Sequence, residues 1–103
     1  MKIMKFGGSS VADGQQIQKV ARIIIHESEK DNIGVVLSAM KGVTDMLIQC
    51  AGQAEKGSHD YTAVVEKLKQ KHINAINILF AGSGNQEITK RIMGMFKEIE
   101  EIL

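Results

Sequence analysis

The stretches Lys5-Phe6-Gly7-Gly8-Ser9-Ser10-Val11 and Ile33-Gly34-Val35-Val36-Leu37-Ser38-Ala39-Met40-Lys41-Gly42-Val43-Thr44 decide how this chain is read. In each, a short apolar run gives way to glycine, hydroxyl-bearing residues and a lysine. Residues 1 to 5 are too few to nucleate a helix and suit a buried strand. The turn signal Asp31-Asn32 precedes Ile33-Gly34-Val35-Val36-Leu37, a continuous β-rich run that reads as a second buried strand.

Between the two runs, Ile17, Val20, Ala21, Ile24 and Ile25 recur at i, i+3, i+4, i+7 and i+8, which predicts one helical face over residues 13 to 30. Strand, helix and strand at this length make a βαβ unit, so the two strands run parallel with a right-handed crossover. Both glycine- and hydroxyl-rich segments then fall at the carboxyl edge of the sheet, where ligands bind in open α/β folds.

Three more helices follow. Val43, Met46, Leu47, Cys50, Ala51 and Ala54 share a face, with Thr44 in the first turn and Gly57 placed as a C-terminal cap. Asp60 is placed to cap a helix carrying Tyr61, Val64, Val65, Leu68, His72, Ala75, Ile76 and Leu79, ending near Gly82, with His72 at the edge of the core. Ser83-Gly84-Asn85 offers capping oxygens to a last helix with Ile88, Ile92, Met95, Phe96, Ile99 and Ile102. Residues 1 to 103 form a single domain, with no repeat, no low-complexity tract and no proline. Two strands are few for four helices, since parallel sheets are covered on both faces. The last helix is also still periodic at Leu103, so the expectation is an α/β fold that is incomplete.

Composition narrows the function classes. Of the residues, 44% are hydrophobic and 24% charged, an ordinary globular balance. Thirteen Lys and Arg against twelve Asp and Glu leave a formal charge of +1, with no aromatic-laced basic cluster to hold a nucleic acid. No apolar run is long enough for a signal peptide or a membrane span, which reads as a cytoplasmic protein. Cys50, alone, reads as a small buried hydrophobe rather than a metal ligand, and no metal site is expected.

At the first segment, glycines allow backbone amides to approach a phosphate, the next helix adds its N-terminal dipole, and Lys5 adds a full charge. The lysine precedes the glycines, so this is not a Walker loop, and no G-x-G-x-x-G is present. The same letters also suit a plain tight turn beside a solvated strand-end lysine. At the second, Ser38, amides near Ala39 and Gly42, and Thr44 at a helix start can hold a carboxylate or phosphate. A capping threonine explains Thr44 equally well, and Lys41 reads as a solvent-facing loop residue.

The run Lys5 to Val11 resembles the K-F-G-G-[ST]-S-V opening of aspartate kinases, and Val35 to Thr44 resembles their V-V-x-S-A-x-x-G-[VI]-T segment. Other amino-acid kinases usually lack this phenylalanine together with the Ser-Ala-x-x-Gly-Val-Thr segment. The resemblance implies a three-layer α/β/α kinase domain, of which this chain matches the N-terminal part. It implies transfer of the γ-phosphoryl of ATP to the β-carboxylate of L-aspartate, with Mg2+ held mainly through the nucleotide phosphates; the unpaired sheet edge and long apolar helix faces separately predict association, as a homo-oligomer. Lys5 is then the catalytic charge on the transferred phosphoryl group. Gly7, Gly8 and Ser9 join Lys5 in binding phosphate, and Ser38, Ala39 and Thr44 hold the aspartate substrate.

Three positions depart from the pattern: Ser9 where threonine is common, Met40-Lys41 where small residues are frequent, and Asp45 where asparagine is frequent. The family's R-G-E glutamate, substrate-binding arginine, adenine-binding region and ACT domains have no counterpart, so the chain alone is expected to lack kinase activity. A competing expectation is a non-catalytic anion- or nucleotide-binding module that self-associates through its open sheet edge. A third is a structural fragment without ligand affinity.

Overall fold

A computed structural model of the chain describes residues 1–81 and 84–103. The elements run β1 (Lys2–Phe6), α1 (Gly14–Ser28), β2 (Ile33–Leu37), α2 (Val43–Glu55), α3 (Tyr61–Leu79) and α4 (Gln86–Ile102). The strands pair in parallel, from Lys2 opposite Ile33 to Phe6 opposite Leu37, with α1 as the crossover. The α/β architecture of two parallel strands and four helices is the one expected.

Local chemistry explains most boundaries. The Asp13 carboxylate accepts the Gln16 amide at 2.9 Å and so caps α1. α2 closes at Gly57, in the left-handed region at φ +76, where the Gly57 and Ser58 amides donate to the carbonyls of Ala54 and Gln53. Those paired bonds make the helix stop at the glycine. Asp60 does not cap α3 as expected: its backbone is already helical and its carboxylate makes no cap bond. Ser58 Oγ instead accepts the Asp60 amide at 3.1 Å, which moves the capping oxygen two residues upstream. Asn85 precedes α4 but also makes no side-chain cap bond. The expected stop at Gly82 and the Ser83 capping oxygen lie outside the described residues.

α3 is the centre of the packing, with α1 on one side and α2 and α4 on the other. Val43, Cys50, Val64, Val65, Leu68 and Phe96 form the core, and Leu68 is wholly buried at 0% exposure. Burial raises the Cys50 thiol pKa above its ordinary value, in keeping with a packing role. His72 is half-buried, its Nδ1 2.7 Å from the Leu68 carbonyl oxygen and its ring edge-on to Phe96.

The strands are not buried as expected. Side chains alternate along a strand, so Lys2, Met4 and Phe6 face α1 while Ile3, Lys5 and Val36 face away. Ile3 is 62% and Val36 52% exposed on that second face. The physical reason is the placement of the helices: α2 and α4 gather on α3, beyond α1, and leave the far face of the sheet bare. Ile25 is also exposed, at the margin of the α1 stripe. The molecule is accordingly drawn out, 52 × 29 × 19 Å with a radius of gyration of 15.9 Å. A compact chain of this length has a radius near ~13 Å.

Candidate functional site

β1 and β2 both end at the same sheet edge, and the hydrogen-bonded ladder continues one step past them, where the Ser38 amide donates to the Phe6 carbonyl at 3.1 Å. From there the chain opens into two loops. The first, residues 7–13, turns back on itself through a 3.0 Å bond from the Ser10 amide to the Gly7 carbonyl. The second, residues 38–42, closes through the Val43 amide on the Met40 carbonyl at 3.1 Å. Gly42, at φ +87, takes the left-handed conformation that starts α2 without a side-chain cap.

The loops touch. A Cβ built on Gly8 would lie 3.5 Å from the Ala39 carbonyl oxygen and 3.8 Å from Lys41 Cα. The structure therefore brings Gly8, Ala39 and Lys41 into one cluster, with Ser38 tied to the strand end beside them. Lys41, read from sequence as a solvent-facing loop residue, is exposed and also borders Gly8.

Gly7 and Gly8 need not be glycine for the fold. Neither has a positive φ, and a Cβ at Gly7 would meet no atom within 4 Å. The space above Gly7 is open, so a ligand oxygen can come as close to the backbone there as glycine permits. This bears on the alternative of a plain tight turn, which would use glycine for its backbone freedom.

Lys5, Ser9, Ser38 and Thr44 are all exposed. Lys5 sits one residue before the end of β1 with its side chain on the bare face, and Thr44 is the second residue of α2. The first turn of α2 also carries Asp45, whose carboxylate complements the positive end of the helix and competes with an incoming anion. Behind the loops, Val11, Ile17, Val20, Ala21, Ile24, Leu37, Ser38 and Met40 line an apolar groove of about 290 Å³. It offers little to a charged ligand.

Two supports of the first loop escape a reading of the sequence. Gly14 packs so tightly on α3 that a Cβ there would lie 2.9 Å from Ile78 Cβ and 3.0 Å from Ala75 Cα. Lys71 Nζ donates to the Ala12 carbonyl at 3.1 Å, across 59 residues of chain. One signal for Lys71 is present in the sequence: it falls in the column Val64, Leu68, Lys71 and Ala75, a charge within an apolar stripe.

Among the described residues, no helix is long and apolar enough to cross a membrane. No group of three His, Cys, Asp or Glu side chains comes together among them. The donors at the loops are amides, hydroxyls and ammonium groups, a set that fits phosphate or carboxylate oxygens and not a bare cation.

The chain is similar in sequence and fold to known proteins. The chain is 30% identical over 105 residues to a bifunctional aspartokinase/homoserine dehydrogenase of Buchnera aphidicola, covering all of this chain and 13% of that protein. It is 44% identical over 52 residues to an aspartokinase of Mycobacterium tuberculosis, covering 50% of this chain and 12% of that one. The crystal structure of Clostridium acetobutylicum aspartate kinase superposes with a TM-score of 0.73 at 26% identity, over 97% of this chain and 23% of that one. The chain thus spans about an eighth of these two curated relatives and less than a quarter of the solved structure. The model of the amino acid kinase family matches residues 1–98, and with that match running through both loops the chain belongs to the amino acid kinase family.

Proposed function

We propose that residues 1 to 103 supply the phosphate loop and the acceptor loop of an aspartate kinase, which moves the γ-phosphoryl of ATP to the β-carboxylate of L-aspartate and yields 4-phospho-L-aspartate. The observation that carries this reading is the open space over Gly7 beside the contact of Gly8 with the second loop. Glycine is present where the fold would accept a side chain, at the point where two loops with anion-binding donors meet.

In this reading the transferred phosphoryl group lies over Gly7 and Gly8, whose amides point at its oxygens, with the Ser9 hydroxyl adding a donor. Lys5 neutralises charge as it spreads over the phosphoryl oxygens in the transition state. Ser38, the amide of Ala39 and Thr44 at the start of α2 hold the aspartate so that its β-carboxylate faces the phosphorus. With Mg2+ bound to the nucleotide phosphates, the metal would supply further charge neutralisation beside Lys5. Departure of ADP as the β-carboxylate oxygen bonds to phosphorus balances the step.

The supporting comparisons name aspartokinases, one of them joined to a homoserine dehydrogenase, and this chain matches a small share of each. In this reading the chain supplies two loops of a larger site, and the isolated chain is expected to be inactive as a kinase. The test is a chimera in which residues 1–98 replace the matched part of the Clostridium acetobutylicum enzyme. Aspartyl phosphate trapped by hydroxylamine is the expected product, falling about a hundredfold or more with Lys5→Ala. A folded chimera that turns over equally well with Lys5→Ala contradicts the assignment.

The bare sheet face favours a second reading, a non-catalytic anion-binding module that self-associates. Its exposed surface is 7200 Å², against about 5,700 Å² for a compact protein of this mass. ATP binding by a stable dimer, with no turnover in the chimera, would select it.

A further inference from the structure

The two glycine-bearing loops are held unequally. The second is short and closes directly into α2, whereas the first must carry the chain from the end of β1 to the start of α1 while leaving Gly7 to Ser10 at the surface. Its far end is secured by burial of Val11 and by contacts of Ala12 and Gly14 with α3. Val11 is 4% exposed, the Ala12 carbonyl accepts from Lys71 at 3.1 Å, and Gly14 presses on Ala75 and Ile78. Farther along the same seam, Gln18 Nε2 donates to the Ile78 carbonyl at 3.0 Å.

Lys71 is the member of this seam that packing does not require. Its neighbours in the column, Leu68 and Ala75, are buried hydrophobes, while Lys71 is half-buried and turns its ammonium to a loop carbonyl. A charged donor to a partly buried carbonyl is stronger than a neutral one, and it fixes the backbone plane two residues beyond Ser10. It also sets a positive charge against the loop backbone at Ala12.

We propose that Lys71 is a positioning residue for the phosphate loop: by gripping the Ala12 carbonyl it holds the Gly7–Ser10 turn in the shape that presents its amides to an anion. This rests on the reading of that loop as a phosphate site, and the test separates the two. Lys71→Met keeps the aliphatic stem and loses the donor, and Lys71→Arg restores a charged donor. Amide hydrogen exchange and ATP titration are measured on the wild type and both variants.

The expected result is exchange of the Ser10 amide about tenfold faster in Lys71→Met, with the amides of Val65 and Leu68 unchanged, ATP bound several-fold more weakly, and both effects reduced in Lys71→Arg. Equal exchange at Ser10 in wild type and Lys71→Met overturns the proposal, as does acceleration spread evenly through α3. In the wild type itself, the Lys71 ammonium should exchange with solvent more slowly than that of exposed Lys67, and equal rates would also overturn it. Faster Ser10 exchange in Lys71→Met together with a wild type that does not bind ATP keeps the anchoring role and contradicts the phosphate reading instead.

Discussion

A methyl group added at Gly42 would sit on a backbone at φ +87, whereas one added at Gly7 would meet neither strain nor any atom within 4 Å. The two glycines therefore answer to different demands. Gly42→Ala is expected to destabilise by about 1–2 kcal/mol through the left-handed backbone alone, read as a lower melting temperature. Gly7→Ala should leave melting unchanged and weaken ATP binding, because its methyl group fills the space a phosphate oxygen needs; unchanged binding would argue that the space is not used. Both glycines stood out in the sequence, but only their backbone angles and surroundings separate the turn-former from the ligand-facing residue. Lys71 was hidden for a different reason: its partner is a backbone carbonyl 59 positions away, which no spacing rule connects.

Among the elements, the helix faces were legible because burial repeats with the turn. The stripe Val64, Val65, Leu68, Ala75 and Ile76 is the buried face of α3, and its centre bears the largest load. Leu68→Ala is expected to cost about 2–5 kcal/mol, measured by denaturant unfolding, since the vacated volume lies where α2, α3 and α4 meet. Caps were less legible. Asp60 has the right chemistry at the right position, yet its backbone is already helical, its own amide donates to Ser58 Oγ, and the Thr62 and Ala63 amides it could have capped donate to the backbone carbonyls of His59 and Asp60, an outcome that depends on backbone angles.

The α3–α4 seam also carries a pH dependence. Lys69 pairs with Glu100 on α4 and with Glu66 on α3, and the hydrogen bond to Glu100 is the main cause that raises the Lys69 ammonium above its ordinary value of 10.5. A raised pKa means the tie is present in full below that ordinary value and is lost as pH climbs through the raised one. Wild type should therefore melt above Lys69→Met at pH 8, with the two curves converging in strong alkali. A gap that persists at high pH would assign the effect to packing by the lysine stem.

At the scale of the whole molecule, the sequence showed too little sheet for its helices, and the structure shows where the deficit falls. The run Ile33-Gly34-Val35-Val36-Leu37 of β2 has no polar residue to mark an outer face, so the sequence does not reveal which face is covered. The helices decide that by stacking outward through α3, leaving Ile3 and Val36 in solvent. Surface of this kind drives association. The isolated chain is expected to sediment with a concentration-dependent mass, and Val36→Lys should shift it toward the monomer without lowering its melting temperature. A monomer at all concentrations would contradict the link between the bare face and assembly.

The central claim is that the loops after β1 and β2 make one anion site. It is tested most directly by titrating the isotope-labelled chain with ATP and Mg2+ and following every backbone amide. The account predicts saturable shifts at Gly7, Gly8 and Ser9 together with Ala39 and Thr44, sharing one dissociation constant and lost in Lys5→Ala. Shifts confined to one loop, or centred elsewhere on the molecule, would contradict it.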